Sequence, residues 1–323
     1  MSDHTPAVSD RTPLVSDRPT FAVVIPTYNR ATRLLNTLET VFRQEEPATE
    51  IIVVDNCSTD ETPDLMSDLM ETHANLDYIK HEANLERAAS RNTGMSKATA
   101  DYVTFLDSDD LMYPQNLREA GDFAVETGAK FFHNLYESVD ESGRHVRYWP
   151  VPSLRNHIRS IAIGNFLSCI GVFIHRDIYS EYRFDTNPLL TGSEDWELWL
   201  RVAADHRVDR LTAVNSAIVQ HSGQTVLNQE VTVAARRIDY ILDKVDSDPH
   251  LSSVYGPYRS LMRASRMVLL AGIANGNHDS KAAVRFLQRA LAEKPTMGFS
   301  LRFFRCLQIA AVNWLRSPRS VGG

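Results

Sequence analysis

Four apolar runs rich in β-forming residues, at 21–25, 51–54, 76–79 and 102–106, set the tightest limit on what this chain can fold into. Helix-like segments separate them, roughly over 31–45, 61–73, 87–99 and 114–127. Several of the runs have no polar face. Such strands must be covered on both sides, which is the condition of a parallel sheet held between helical layers. The expected class is therefore α/β, a mostly parallel central sheet with helices on both faces. A chain of 323 residues can hold one such domain and an addition to it. Ligands of open α/β sheets collect at the carboxyl ends of the strands. The polar clusters of this sequence fall there: Thr27 to Arg30 after the first run, Asp55 to Asp60 after the second, Asp107 to Asp110 after the fourth.

The segment YVTFLDSDD (102–110) puts three carboxylates within four residues directly after an apolar strand. Like charges this close repel, and each loses stabilisation if it leaves water unpaired. A hard divalent cation would offset the repulsion, and a solvated acidic turn would avoid it; the segment alone leaves both open. In VVIPTYNR (23–30), Pro26 cannot donate a ladder hydrogen bond and is expected to end the first strand. In VVDNCSTD (53–60), Ser58, Thr59 or Asp60 can cap the next helix, which does not account for Asp55 directly after Val54. SEDWELWL (193–200) reads as a helix start with Ser193 at the N-cap, acids in the first turn and Trp196, Trp199 and Leu200 on the buried face.

The middle section, about 130–222, is irregular, with one strand expected at 171–175. From about 228 the chain reads as helical: Ala271, Ala282, Ala283, Phe286, Leu287, Ala290 and Leu291 recur at helical intervals until Pro295. This part is expected either to pack on the catalytic domain or to form a small domain of its own. The first 19 residues carry a near-duplication, HTPAVSD (4–10) and RTPLVSD (11–17), and read as a disordered tail without the apolar core of a signal peptide. The resulting division is a tail at 1–19, a catalytic domain at 20–225 and a helical extension at 226–323. A net charge of −7 opposes nucleic-acid binding. Cys57, Cys169 and Cys306 form neither a zinc spacing nor a disulfide framework, which points to a reducing, cytoplasmic setting. No run approaches the ~20 apolar residues of a membrane span.

Taken in order, VVIPTYNR, VVDNCSTD, NLERAASRNTG (84–94), TFLDSDD and SEDWELWL resemble the family 2 glycosyltransferases, whose fold is the GT-A or nucleotide-diphospho-sugar transferase fold. The resemblance covers roughly 21–222. It implies an inverting transfer from a UDP-, dTDP- or GDP-linked sugar to a hydroxyl acceptor, a saccharide or glycolipid, in polysaccharide or glycolipid synthesis. It also implies Mn²⁺ or Mg²⁺ as cofactor. The donor nucleotide would meet Pro26, Thr27, Tyr28, Arg30, Asp55, Arg91, Asp107 and Ser108. Among these, Tyr28 would pack on the base, Asp55 would accept from its edge, and Arg91 would lie near the phosphates. Asp107 and Asp109 correspond to the DxD motif, with Asp109 the more direct metal ligand, Asp107 in support, and His221 an additional metal or diphosphate contact. Asp195 would be the catalytic base, with Glu194 the alternative. Glu86 stands where many relatives have glycine, Ser90 where they have alanine, and Asn56-Cys57-Ser58 where Asp-Gly-Ser is common; these departures bear on donor identity.

Two other readings compete. A sugar-1-phosphate nucleotidyltransferase would carry a Gly-rich first loop, whereas residues 26–30 contain no glycine. A catalytically silent nucleotide-sugar or glycan-binding module would have no need of Asp109 and Asp195. At the end of the chain, no acid follows Glu293. A helical projection of 299–316 places Phe299, Phe303, Phe304, Leu307, Ala310, Ala311, Trp314 and Leu315 on one broad face, opposite Arg302, Arg305 and Arg316. That face is expected to pack on the protein, with contact to an anionic membrane at the cytoplasmic side as the alternative.

Overall fold

The computed structural model describes residues 18–149, 151–221 and 230–316. The first apolar run forms β1 (Phe21–Thr27), buried along its whole length. It pairs in parallel with β2 (Glu50–Asp55), which pairs in parallel with β3 (Leu76–Lys80). On its other side β1 pairs in parallel with β4 (Tyr102–Phe105). Helices α1 (Ala31–Phe42), α2 (Thr62–Met70) and α3 (Glu86–Lys97) make the crossovers. Successive side chains of β1 enter opposite layers: Ala22 and Val24 join one apolar core, and Phe21, Val23 and Ile25 the other. This is the two-sided burial that an unbroken apolar strand requires.

Pro26 does not end β1, which runs on through Thr27 with Pro26 opposite Val54. The alternation of the ladder gives the reason. The Val24 carbonyl accepts from Leu106 N–H on the β4 side, while the Thr27 carbonyl accepts from Asn56 N–H on the β2 side. The nitrogen of Pro26 therefore turns toward β4, whose pairing has already ended at Phe105, and no ladder bond is lost. On the β2 side, α3 approaches β1 so closely that a Cβ at Gly94 would stand 2.3 Å from Val24 Cγ1. Only glycine permits that approach.

The 130–222 section holds more strand than its sequence suggests. After β5 (Leu111–Met112) and α4 (Asn116–Thr127) come β6 (Phe131–Asp140), β7 (His145–Tyr148), α5 (His157–Ile163), β8 (Val172–His175), α6 (Arg176–Tyr179), α7 (Glu194–Asp205) and β9 (Asp209–Gln220). Among the described residues the sheet runs β3-β2-β1-β4-β8-β6-β9-β5, with β7 paired to β6. The β3-β2-β1-β4 half is parallel; β8 is antiparallel to both β4 and β6, and β9 is parallel to β6. The chain leaves β1 toward β2 and β3 and crosses back to β4 on the other side of β1, so a crevice opens beyond the carboxyl ends of β1 and β4.

The expected helical extension comprises α8 (Val231–Ser247), α9 (Pro249–Tyr255), α10 (Arg259–Gly276), α11 (Ser280–Glu293) and α12 (Leu301–Arg316). It shares one apolar core with the sheet. The Tyr255 hydroxyl donates to Leu200 O at 2.7 Å, and the Arg266 guanidinium stacks 4.4 Å from the Trp196 ring. Lys244 Nζ bridges Asp185 at 2.7 Å and Glu197 at 2.6 Å. The broad apolar face expected on the last helix is split. Phe303 and Ala310 are buried, but Phe299, Phe304, Leu307, Trp314 and Leu315 are exposed. Asn275 Nδ2 donates to Cys306 O, and Asn313 Nδ2 to Asn275 O, so the Phe303–Cys306–Ala310–Asn313 stripe faces α10. No helix among the described residues is long and apolar enough to cross a membrane. At the other end, Arg18 pairs with Glu46 at 2.7 Å and Asp122 at 2.8 Å. Of the tail expected over residues 1–19, residues 1–17 lie outside the described residues, as do 317–323 and the Arg316 side chain.

Candidate functional site

The crevice at the ends of β1 and β4 is a cleft of about 420 Å³. It brings together Pro26, Thr27, Tyr28 and Arg30 after β1, Asp107, Ser108, Asp109 and Asp110 after β4, Arg91 from α3, and Glu194 and Asp195 from the start of α7. Elements more than a hundred residues apart in sequence thus present their polar groups to one space.

The crowding of acids after β4 is resolved by giving each a different partner. Asp107 Oδ1 accepts from Arg91 Nη2 at 2.7 Å. Burial opposes its charge, yet Arg91, helped by Arg87 and Arg30, holds its carboxyl below the ordinary range. Asp109 Oδ2 is gripped by Arg30 Nη1 at 2.5 Å and by His221 Nε2 at 2.8 Å. Asp110 is buried and accepts from Val219 N–H at 3.1 Å. Burial, with Asp107 and Asp109 nearby, pushes its carboxyl well up, which disfavours a third negative charge there.

Arg91, only 2% exposed, is the hinge of the arrangement. Its Nη1 donates to Glu194 Oε1 at 2.8 Å while its Nη2 holds Asp107. A planar fork suits two carboxylates approaching from different elements. Glu194 also accepts from Gly192 N–H at 2.7 Å and lies 3.7 Å from Arg87 Nε. Buried and so engaged, its carboxyl is fixed in place. Asp195, one residue on, is only half-buried and opens to the cleft. Burial and the neighbouring Glu194 push its carboxyl up to about 6, against the pull of Arg91, Trp196 N–H and Asn165. Asn165 Nδ2 donates to Asp195 Oδ2 at 2.7 Å, and Trp196 N–H to Oδ1 at 2.8 Å. A carboxyl near 6 exchanges protons close to neutrality, as a general base must. Ser193 occupies the N-cap position, but its hydroxyl donates to Gly192 O instead of capping the helix.

The second strand end is organised differently from the expectation. Asp55 is fully buried below the cleft, with Oδ1 accepting from Ser58 N–H at 2.8 Å and Oδ2 from the Tyr78 hydroxyl at 2.6 Å. It braces the turn while Asn56 reaches the cleft wall. Of the capping candidates, Asp60 is used: it accepts from Thr62 N–H and from Ala31 N–H, joining the starts of two helices. Tyr28 is 44% exposed, its ring open at the rim. Sequence reasoning missed Asn165, Arg87, Arg147 and Trp149. They belong to loops, exposed faces or ion-pair networks without periodic signature, and only the tertiary fold brings them to the cleft. Cys169 also lines it, but burial raises its thiol well above its ordinary range, so it is no nucleophile.

An α/β sheet with its polar groups at the β1/β4 crevice and a helical extension behind it defines a protein of the GT-A class. Residues 22–182 match the profile described as glycosyl transferase family 2, and the chain belongs to that family. An uncharacterized glycosyltransferase of Rickettsia felis is 27% identical over 238 residues, 73% of this chain and 38% of its own length. The poly(ribitol-phosphate) β-N-acetylglucosaminyltransferase TarS of Staphylococcus aureus is 24% identical over 288 residues, 87% of this chain and 46% of its own length. The chain therefore spans less than half the length of these curated relatives. A crystal structure of a TarS fragment with UDP-GlcNAc superposes with a TM-score of 0.60 at 21% identity, covering 91% of this chain and 89% of that one. The mannosyltransferase PcManGT of Pyrobaculum calidifontis, in complex with GDP-Man and Mn²⁺, gives 0.58 at 18% identity, covering 96% and 90%.

Proposed function

We propose that this chain is a metal-dependent, inverting glycosyltransferase that moves a sugar from a nucleotide-diphosphate donor to a hydroxyl acceptor, in the synthesis of a polysaccharide or glycolipid. The observation that carries the reading is the shared cleft: Asp195, raised to about 6, faces the same space as Tyr28, Arg30, Asp107 and Asp109. The nucleotide base lies against Tyr28 at the rim, over the turn that Asp55 braces. The guanidinium groups of Arg30, Arg87 and Arg91 give the phosphates a basic surround. Asp195 takes the acceptor hydroxyl proton as its oxygen attacks the anomeric carbon. The diphosphate leaves from the opposite side, which inverts the configuration. Glu194, buried and held by Arg91 and by Gly192 N–H, stays out of the transfer. The TarS and PcManGT complexes, with a UDP-linked and a GDP-linked sugar, support a nucleotide-sugar donor in this fold.

The donor set of the cleft fits a divalent cation that is held jointly with the diphosphate. Asp109 and His221 supply an oxygen and a nitrogen 2.8 Å apart, with Asp107 behind. No group of three His, Cys, Asp or Glu side chains among the described residues could cage an ion alone. Mg²⁺ and Mn²⁺ are commonly held by one or two carboxylates plus substrate phosphates. Bound there, the cation would stabilise charge on the leaving diphosphate. The same reading puts the protein at the cytoplasmic face of a membrane, with the exposed apolar side chains of α12 toward the lipid.

A thermal-shift panel of UDP, dTDP, GDP and their sugars, with and without Mn²⁺ or Mg²⁺, tests the donor and the metal together. A nucleoside diphosphate and the cation should raise the melting temperature more together than either does alone. Asp109→Ala should remove that synergy; an unchanged metal response would reject the metal assignment. A silent binding module would show the shift without sugar turnover.

A further inference from the structure

Beyond the donor cleft, across Trp149, lies a second pocket of about 120 Å³. Trp149 lines both spaces. The pocket walls are the rings of Tyr136, Tyr148, Trp149 and Phe166, closed by Leu135 and Pro152. Tyr136 and Ser138 lie two residues apart on β6 and so share a face of the sheet. Ser138 Oγ accepts from the Trp149 indole N–H at 3.2 Å, which fixes the indole as the partition between the two spaces. The Arg147 guanidinium stacks 3.9 Å from the indole centroid and stiffens it further. Phe166 of the pocket wall directly follows Asn165, whose Nδ2 donates to Asp195 Oδ2 at 2.7 Å. The pocket therefore adjoins the loop that holds the carboxylate, across the indole from the bulk of the donor cleft.

We propose that this pocket is the acceptor subsite and that it takes a neutral pyranose ring, stacked through its C–H face on Trp149 and Tyr148. The inference rests on the glycosyltransferase reading of the cleft. Three features choose a sugar ring over other occupants. The walls are flat aromatic faces, which match the C–H face of a pyranose and orient it. The space is too small for a nucleotide, and the larger cleft already meets that need. Among the described residues the lining holds no Lys, Arg, Asp or Glu, and the buried His133 in it is pushed down to about 3 by burial and Arg210, so it stays neutral. The walls therefore match an uncharged occupant.

The test is saturation-transfer NMR on the full chain with GDP or UDP and Mn²⁺, using methyl glucoside, galactoside, mannoside and N-acetylglucosaminide, together with hexyl β-glucoside. Saturation should reach the ring protons of at least one methyl pyranoside. Trp149→Ala should abolish it, Trp149→Phe should restore part of it, and Tyr148→Ala should reduce it at least severalfold. Far-UV circular dichroism should match the wild type in all three, which shows that each variant folds, and Tyr148→Ala, which lies outside the donor cleft, should also leave nucleoside diphosphate binding unchanged. Saturation confined to the hexyl chain would overturn the proposal in favour of a lipid, and so would equal saturation in Trp149→Ala. No saturation from any pyranoside while the nucleotide still binds would also overturn it. Loss of nucleotide binding by the wild-type chain would instead overturn the glycosyltransferase reading on which it rests.

Discussion

Glu86 and Cys57 hold the backbone at φ of 67° and 74°, the left-handed region that favours glycine. The family pattern has glycine at both places, so the two departures visible in the sequence fall where the main chain needs that residue most. Cys57→Gly and Glu86→Gly should each raise the unfolding free energy by about 1 kcal/mol, the order of left-handed strain in an L-residue. Denaturant melts of the two variants would check this, and a loss of stability would mean that side-chain contacts outweigh the strain. Asp195 gives a pH prediction. Transfer should rise with pH through a midpoint near 6 as the base loses its proton. Its folded pKa lies above the unfolded value, so ionising it lowers stability as pH climbs from about 4 through 6. Asp195→Asn should cut transfer by about 10²–10⁴ and remove that limb of the profile. Asn165→Ala deletes a donor to the charged carboxylate and should move the midpoint upward; an unmoved midpoint would leave Asn165 a merely structural neighbour. The acids of 107–110 were legible because three carboxylates directly after an apolar strand have no packing reason to be there, while Asp195, an ordinary first-turn acid of a helix, was singled out only through the family resemblance. Asn165 was not, because it lies in an irregular loop that only the fold carries to Asp195.

Strands β1 to β4 were readable because their apolar residues fill both cores, and their observed bounds differ from the expected ones by a residue or two. Strands β6 and β9 were hidden because polar residues interrupt their pattern while being fully buried. Asn134, Asn215 and Ser216 have no exposure and are linked by Asn116, whose Nδ2 donates to Asn215 O and Ser216 Oγ and whose Oδ1 accepts from Asn134 Nδ2. Interior partners of this kind let polar residues sit inside a strand, so the hydrophobic period vanishes from the sequence although the strand remains. The last helix shows the opposite limit. Its apolar face was plain in projection, but projection does not say how much of that face a neighbour covers. In α12, Phe303 is 6% exposed whereas Phe304 is 57% and Trp314 71% exposed. Phe303→Ala should destabilise the chain by about 3–5 kcal/mol, the usual cost of emptying a buried aromatic site. Phe304→Ser and Trp314→Ser should change stability by about 0.5 kcal/mol or less and should weaken co-sedimentation with vesicles containing anionic lipid. If the two serine variants bind vesicles as the wild type does, the exposed face serves another contact.

At the scale of the whole molecule, the crevice depends on parts that are remote in sequence. Arg91 from α3, Asp107 after β4 and Glu194 on α7 form one chain of ion pairs, and α7 is held from behind by the helical extension. Tyr255, Lys244 and Arg266 all reach α7 or its neighbours: Leu200 O, Glu197 and the Trp196 ring. The side chains of α10 also lie in the same apolar core as Val24 and Val54 of the sheet. The sequence left open whether residues beyond 226 form a separate unit. A shared core argues that they fold with the sheet, because removing them would expose Trp196 and its neighbours and leave Glu197 without Lys244. Denaturant unfolding should therefore be a single transition, with tryptophan fluorescence and far-UV circular dichroism tracing one curve. Four tryptophans report on it, and Trp196 and Trp199 lie in that core. A chain cut after residue 225 should fail to give this transition and should lose nucleotide binding with it. Two separated transitions in the full chain, or a stable nucleotide-binding product from the cut chain, would instead make the helices an independent domain.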